Sequence, residues 1–268
     1  MDKKLFIIPI IIIILIGTLM YFANISIYKF NMHVFKAGEA DSCLITFEDK
    51  VIVIDTAKED FFDNLDMYLQ SKHINKIDYL IISNFNEEHV GGASKIINKY
   101  EIGMVFQTSL INESDSYNNY IEALNIKNIE PIIVSGDYNT SINKLEMTIN
   151  GPTKEYEDNK ENNSSLIVSM KYKNKKYLFL GDAMEERIEE YFNNDLGKYD
   201  VVKLPNHGNY QKIDEKIIDK YKPKHIIISS DKIDNDLKRL LKKKDIDYYL
   251  TEDNDFDLSS GYFIKIYK

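Results

Sequence analysis

The chain has 268 residues and a net charge of −9, with 44% hydrophobic and 29% charged residues. This length and balance predict a globular protein with a substantial core, made of one large domain or two small ones. A single cysteine excludes an intramolecular disulfide and a cysteine-based zinc site, and the acidic charge opposes binding to phosphate polymers.

The first predicted element is a transmembrane anchor. Leu5 to Ala23 carries no charge, and as a helix it would extend about 28 Å, close to the ~30 Å thickness of the hydrocarbon core. A cleaved signal peptide is the alternative, although the residues after the apolar run make a poor cleavage site. Lys3 and Lys4 precede the run, which predicts that the folded domain lies outside the cell. We expect residues 1–30 to anchor the chain in the cell membrane and residues 31–268 to form the domain.

Short apolar strands then alternate with amphipathic helices, and Pro and Gly are sparse. The pattern predicts one α/β-type domain in which a β-meander is followed by β/α units, twice over. Strands are predicted at 32–35, 43–47, 51–54, 78–82, 105–108, 145–149, 166–172, 176–180, 200–204, 225–229, 248–251 and 262–267. Helices are predicted at 61–72, 93–100, 118–123, 185–192, 213–221 and 237–243.

Polar motifs follow several of the predicted strands. The most informative is Ser83-Asn84-Phe85-Asn86-Glu87-Glu88-His89-Val90-Gly91-Gly92, which lies between a buried strand and a helix. The other motifs, in chain order, are Gly38 with Asp41-Ser42, Ile54-Asp55-Thr56-Ala57, Asn162-Asn163-Ser164-Ser165-Leu166 with Phe179-Leu180-Gly181-Asp182-Ala183, and Asp200 to Asn209.

In this order the motifs resemble those of the metallo-β-lactamase-fold hydrolases, and among these the ComEC-like competence protein branch. In that family the loop equivalent to residues 83–92 is Thr-His-x-His-x-Asp-His followed by a hydrophobe and two glycines. The resemblance covers residues 31–268. It implies a four-layer αββα sandwich and a hydrolytic centre with two metal ions.

The resemblance also identifies a degenerate metal-binding motif. Asn84 and Asn86 stand at two histidine positions, and Glu88 stands at the aspartate position. In the last motif Asn206 replaces one of two histidines and His207 is kept. A site of this kind is expected to hold one divalent ion (Mn²⁺, Mg²⁺, Ca²⁺ or Zn²⁺) or none. The expected ligand positions are Asn84, Asn86, Glu88, His89, Asp182 and His207.

Several of these residues also have a structural interpretation. Glu88 would stabilise the N-terminal end of the following helix without a metal. Asp182 would cap the helix that begins near Met184. Asp41 and Asp55 are predicted to hydrogen-bond loop backbones beneath the site. The histidines predicted to be ordinary strand-end or surface residues are His33, His73 and His225.

Three functions remain open at this point. The resemblance implies a membrane-tethered hydrolase of a phosphodiester such as nucleic acid, with Asp182 as principal anionic ligand and His207 as ligand or general acid. Asn163 and Ser164 would then orient the substrate. The second hypothesis is a catalytically inactive family member that acts as a binding or scaffolding module at the membrane. The third is a mononuclear hydrolase of a small ester or phosphoester.

Overall fold

The computed structural model describes residues 9–18, 30–195, 197–251, 255–260 and 264–267. Residues 9–18 are helical and exposed. The predicted anchor runs from Leu5 to Ala23, and its other residues, 5–8 and 19–23, lie outside the described residues. Within the part of the chain that is described, no helix has both the length and the apolar character needed to cross a bilayer.

The strands within the described residues are short, and most of them carry apolar side chains. In chain order they are β1 Phe30–Val34, β2 Ser42–Phe47, β3 Lys50–Thr56, β4 Lys76–Ile82, β5 Glu101–Gln107, β6 Ile132–Ile133, β7 Gly136–Ile142, β8 Leu145–Gly151, β9 Ile167–Tyr172, β10 Lys175–Phe179, β11 Val201–Lys203, β12 His225–Ile228, β13 Asp247–Leu250, β14 Phe256–Ser260 and β15 Ile264–Tyr267.

These strands form two mixed sheets. The larger sheet has the order β15-β14-β1-β2-β3-β4-β5-β6, antiparallel from β15 to β3 and parallel from β3 to β6. The smaller sheet has the order β13-β12-β11-β10-β9-β8-β7, parallel from β13 to β10 and antiparallel from β10 to β7. Each sheet therefore combines a meander with β/α units, as the sequence predicted.

Most of the helices connect parallel strands, and the longer ones cover the outer faces of the sheets. In chain order they are α1 Phe62–Ser71, α2 Glu87–Val90, α3 Ala93–Lys99, α4 Asp115–Lys127, α5 Lys160–Asn163, α6 Glu185–Asn194, α7 Lys212–Tyr221 and α8 Asn235–Lys243, with short 3₁₀ turns at Glu59–Phe61 and Asn206–Gly208.

The protein has four layers, helices–sheet–sheet–helices, and an apolar core fills each of the three spaces between them. The central core joins the facing sides of the two sheets, with Ile45 and Phe106 from the larger sheet against Val168 and Tyr177 from the smaller. A second core packs the larger sheet against α1, α3 and α4, and a third packs the smaller sheet against α6, α7 and α8. Burial of large apolar side chains stabilises such a fold by about 1.5–3 kcal/mol each. The predicted αββα sandwich is confirmed.

Three strands were not predicted: the two-residue β6, Ile132–Ile133, and the polar strands β7 and β14. β7 contains Gly, Asp, Asn, Thr and Ser at an edge of the smaller sheet, and β14 contains Asp and two Ser residues. Such residues are depleted in strands, and tertiary pairing overrides that preference here. β14 pairs with β1, so the C-terminal hairpin returns to the larger sheet instead of extending the second half of the chain.

The motif loops gather at one edge of the sandwich. They follow the ends of parallel or central strands in both sheets, where ligand sites of α/β proteins commonly form. The strands that end at this edge with a motif residue close by are β1, β3, β4, β10 and β11.

Candidate metal centre

Two carboxylates and two imidazoles meet between the sheets at this edge. They belong to Asp41, His89, Asp182 and His207, and one ligand atom from each lies within 4.8 Å of the others. All four side chains are buried, with His89 fully so. Buried ionisable groups need partners or a cation, so this arrangement is a candidate metal centre.

His89 is oriented by residues of the larger sheet. Its Nδ1 lies 2.9 Å from Asp55 Oδ2, and the other Asp55 oxygen accepts the backbone N–H of Ser83 at 2.7 Å. Thr56 Oγ1 donates to the His89 carbonyl at 3.0 Å. With Nδ1–H directed at a carboxylate, Nε2 faces Asp182 Oδ2 at 3.2 Å. A carboxylate behind an imidazole is the usual arrangement of metal-ligating histidines.

His207 reaches the same carboxylate from the smaller sheet. Its Nδ1 donates to the Ser229 carbonyl at 3.1 Å, which leaves Nε2 at 3.3 Å from Asp182 Oδ2. The backbone of His207 is left-handed (φ 50°), and Gly208 follows at φ 80°. A side chain at Gly208 would meet Ile228 Cγ2 at 2.7 Å. Such strained backbone is concentrated at functional sites. His207, and not the position of Asn206, therefore supplies the imidazole.

Asp182 lies between the two imidazoles. Its Oδ1 accepts the backbone N–H of Asn206 at 3.1 Å, and its own N–H donates to Ser165 Oγ at 3.3 Å. Oδ2 is directed at both Nε2 atoms. The interpretation of Asp182 as a helix cap is wrong: Asp182 lies in a turn two residues earlier, and Met184, with extended backbone, is the N-cap residue of α6.

Asp41 is the member of the centre that the sequence analysis missed. The Lys203 ammonium donates to Asp41 Oδ2, and Asp41 Oδ1 lies 3.6 Å from His207 Nδ1. The predicted hydrogen bond from a side chain to the loop backbone is confirmed for Asp55, whose Oδ1 accepts the Ser83 N–H, but the Asp41 side chain is paired with Lys203 instead, and only its backbone N–H holds the loop, by donating to the Glu88 carbonyl at 2.9 Å. The sequence did contain an indication of this pair. Lys203 is a lysine in an apolar strand, and a buried lysine is almost always paired with a carboxylate.

The charges of the centre perturb one another. Burial lowers the pKa of His89, but the carboxylates of Asp182 and Asp55 outweigh it and hold the pKa well above its ordinary value. Burial is likewise outweighed at His207, where Asp41 and Asp182 raise the pKa. The pKa of Asp182 is held well below its usual value against burial by the two imidazoles.

The residues present fit a divalent ion. Among the described residues, neither Nε2 of His89 nor Nε2 of His207 has a hydrogen-bond partner of good geometry, although both atoms are buried. With each Nδ1–H donated elsewhere, each Nε2 offers a lone pair when its ring is neutral, so a metal ion would have to displace the Nε2 proton that the raised pKa values favour. Two imidazole nitrogens and two carboxylates could therefore hold one divalent cation.

Three of the six predicted ligand positions lie in this centre: His89, Asp182 and His207. The other three do not. Asn84 and Asn86 hydrogen-bond to residues preceding β9, and Glu88 is half-exposed and lies outside the group of four. The Oδ1 atom of Asn84 accepts the backbone N–H of Asn86 at 2.9 Å, so this amide oxygen is already used within the protein.

The two predicted substrate-binding residues lie beside the centre. Asn163 is 2% exposed and uses both ends of its amide within the protein. Its Nδ2 donates to the Asp158 carbonyl at 2.9 Å, and its Oδ1 accepts the Arg187 N–H at 3.3 Å. Ser164 follows at 8% exposed. Asn163 is therefore positioned to hold the loop before β9 against α6.

No protein family model matches the chain. Among curated proteins, it is 26% identical to Recombination protein 2 of Haemophilus influenzae over 224 residues, which are 82% of this chain and 26% of that protein. It is 25% identical to ComE operon protein 3 of Bacillus subtilis over 167 residues, 62% of this chain and 21% of that protein. The chain spans about a quarter of the length of these curated relatives.

Solved structures share the architecture at low identity. The metallo-β-lactamase fold protein YhfI from Bacillus subtilis has a TM-score of 0.57 at 10% identity, over 89% of this chain and 100% of that chain. CmlA, a diiron β-hydroxylase from Streptomyces venezuelae, has 0.57 at 13%, over 85% and 54%. Igni18, a metallo hydrolase from Ignicoccus hospitalis, has 0.54 at 14%, over 89% and 99%. The chain has the metallo-β-lactamase fold, and its predicted resemblance to the ComEC-like branch is confirmed.

Proposed function

We propose that this protein is a metal-dependent hydrolase with a single divalent ion held by Asp41, His89, Asp182 and His207, and that it cleaves a phosphodiester. The observation that carries the proposal is the pair of buried Nε2 atoms at 3.2 and 3.3 Å from one carboxylate oxygen, Asp182 Oδ2. Two buried imidazole nitrogens and a carboxylate that converge on one place are donors of the kind that bind a divalent ion.

The donor atoms favour Zn²⁺ over the harder ions. Imidazole nitrogen suits zinc, whereas Mg²⁺ and Ca²⁺ prefer shells made of oxygen. Two imidazole nitrogens and two carboxylate oxygens are donors that zinc accepts, in the number that it commonly takes. Mn²⁺ is the next candidate, because it accepts carboxylates readily.

Each ligand in this proposal has a residue that positions it. Asp55 orients His89, the Ser229 carbonyl orients His207, and Lys203 holds Asp41. The Asn206 N–H keeps one oxygen of Asp182 away from the imidazoles. In this proposal His207 is a ligand, with its Nδ1–H donated to the Ser229 carbonyl and its Nε2 facing the centre. A bound divalent ion supplies Lewis-acid polarisation of a phosphoryl oxygen.

The proposed substrate class is nucleic acid, with a small phosphoester as the alternative. Recombination protein 2, to which this chain is similar over a quarter of that protein's length, is named for a process on DNA. The net charge of −9 opposes a general attraction to polyanions, so a cation at the centre would have to offset it locally.

We also propose that residues 1–30 anchor the chain in the cell membrane, with residues 31–268 outside the cell. The support is the uncharged run from Leu5 to Ala23 and the two lysines before it. Alkaline extraction of membranes that contain the tagged full chain tests the anchor. Retention in the pellet is expected, and release into the supernatant would contradict it.

Hydrolysis by the purified full chain tests the proposed activity. We expect cleavage of bis(p-nitrophenyl) phosphate and of single-stranded DNA with added Zn²⁺ or Mn²⁺, and loss of at least about 100-fold in His207→Ala, since removing a metal ligand costs more than the 10–100-fold of an outer-shell residue. His73→Asn is the matched control: this histidine is exposed and left-handed (φ 57°), a conformation that Asn tolerates. Activity that survives His207→Ala, or that the control also loses, would contradict the assignment.

A second candidate is a binding or scaffolding module without catalysis. It is favoured by the burial of the centre, in which His89 is 0% and Asp182 is 2% exposed, because closed four-ligand sites are usually structural. The two functions differ in one result. A folded chain that retains zinc but hydrolyses neither substrate would support the module.

A further inference from the structure

A second polar cluster lies beside the metal centre, where Asn84 and Asn86 stand at histidine positions of the family motif. Asn84 is fully buried. Its Oδ1 accepts the backbone N–H of Asn86 at 2.9 Å, and its Nδ2 donates to Ser165 Oγ at 3.2 Å. Asn86 Nδ2 donates to Asn162 Oδ1 at 2.8 Å. We call these four residues, Asn84, Asn86, Asn162 and Ser165, the amide brace.

We infer that the amide brace occupies the place of a second metal ion, so that the centre accepts one ion per chain. The inference rests on the proposed function for the ion itself. An amide nitrogen has no lone pair to offer a metal. The carbonyl oxygen of Asn84, which could be a ligand, is already committed to a backbone N–H. Asn84 is therefore arranged as a hydrogen-bonding residue and not as a weakened ligand.

The amide brace also joins the two sheets. Asn84 and Asn86 follow β4 of the larger sheet, whereas Asn162 and Ser165 precede β9 of the smaller one. A backbone hydrogen bond from Leu166 N–H to the Ser83 carbonyl, at 2.8 Å, runs beside it. A metal ion bound by loops of both sheets would make such a connection through coordination bonds. Here hydrogen bonds make it.

Formal charge gives an independent reason for a single ion. Asp41, Asp55 and Asp182 bring three negative charges to the centre, and each of these residues is at most 4% exposed. The Lys203 ammonium and one divalent cation balance them. A second divalent cation would leave two uncompensated positive charges in a buried site, which is strongly unfavourable.

The ratio of metal to protein tests the stoichiometry. Purified full chain is saturated with Zn²⁺, freed of unbound metal, and measured by elemental analysis together with native mass spectrometry. We expect one zinc per chain. Two zinc ions per chain would overturn the inference and the single-ion part of the proposed function, while metal-dependent hydrolysis would still be tested separately by the activity assay.

A double-mutant cycle tests the brace independently of metal. Asn86→Ala and Asn162→Ala remove the same hydrogen bond, and both residues are only partly buried, so the variants are expected to fold. Each is expected to lower Tm by about 3 °C in the presence of EDTA, and the double variant by no more than either single one. Asn118→Ala, at an exposed and long 3.4 Å contact, is the control and is expected to shift Tm by less than about 2 °C.

The outcomes separate the two proposals. Additive Tm changes would overturn the brace, because the two side chains would then not act together. A chain that binds no zinc but shows non-additive changes would contradict the proposed function and support the brace. One zinc per chain with non-additive changes supports both.

Discussion

Lys203 and Asp41 form the one lysine–aspartate pair buried on both sides among the described residues of the centre, with side chains 7% and 6% exposed. Removing one partner of such a pair leaves a buried charge without compensation. The surface pair Lys76–Glu101 has similar chemistry in an exposed setting, with side chains 47% and 67% exposed. Comparing substitutions of Lys203 and Lys76 therefore shows how much burial adds to the loss of unfolding free energy when a lysine–carboxylate pair is broken.

Replacing Lys203 by Met is expected to destabilise the metal-free chain by about 3–5 kcal/mol, since the buried Asp41 carboxylate would lose the ammonium group that contacts its Oδ2. Lys76→Met is expected to cost less than about 1 kcal/mol. Urea unfolding of both variants in EDTA measures the difference. Equal losses in the two variants would show that Lys203 does not compensate a buried carboxylate.

At the residue scale, the sequence predicted the histidines and the central aspartate of the centre but not the whole set. Motif position was sufficient for His89, Asp182 and His207. It was insufficient for Asp41, whose role depends on a lysine 162 positions away along the chain. It also placed Asn84 among the ligands, because residue type does not reveal that its oxygen is committed to a local backbone N–H.

At the scale of elements, the unpredicted strand β14 is held in place by a histidine that was expected to be ordinary. His33 on β1 is 6% exposed, with Nδ1 at 2.8 Å from Asp257 and Nε2 at 3.4 Å from Asp255. Its ring stacks on Tyr68 of α1 at 3.8 Å between centroids. Burial lowers the pKa of His33, but hydrogen bonds to the two carboxylates outweigh it and raise the pKa.

A raised histidine pKa stabilises the fold fully below the unfolded value of about 6.5, and this stability is lost as the pH rises through the folded value. The loss of unfolding free energy in His33→Gln is therefore expected to be larger at about pH 5.5 than at about pH 8.5. Urea unfolding of the variant and the parent chain at both pH values measures it.

His225→Gln is the control of opposite sign for this prediction. Burial lowers the pKa of His225, so that the wild-type side chain costs stability at low pH and the cost disappears as the pH rises. The stability of wild type relative to this variant should rise with pH. A pH-independent effect of His33→Gln would show that its contact with the carboxylates does not depend on charge.

At the scale of the whole molecule, the alternation of strands and helices and the order of the motifs were sufficient to predict the four-layer sandwich. Buried strands such as β4 are recognisable because a short apolar run bounded by polar residues is typical of a strand in the core of a sheet. The return of the C-terminal hairpin to the larger sheet was not predictable in this way. Its strand β14 is polar, and only pairing with β1, more than 220 residues earlier, makes it a strand.

The central claim is that this fold retains a cradle for one metal ion at His89, Asp182 and His207, next to a position closed by amides. Anomalous diffraction at the zinc edge from a zinc-soaked crystal of the full chain tests it most directly. One peak per chain is predicted, at about 2.0–2.1 Å from Nε2 of both histidines. No peak at that place, or a peak coordinated by Asn84 and Asn86, would contradict the claim.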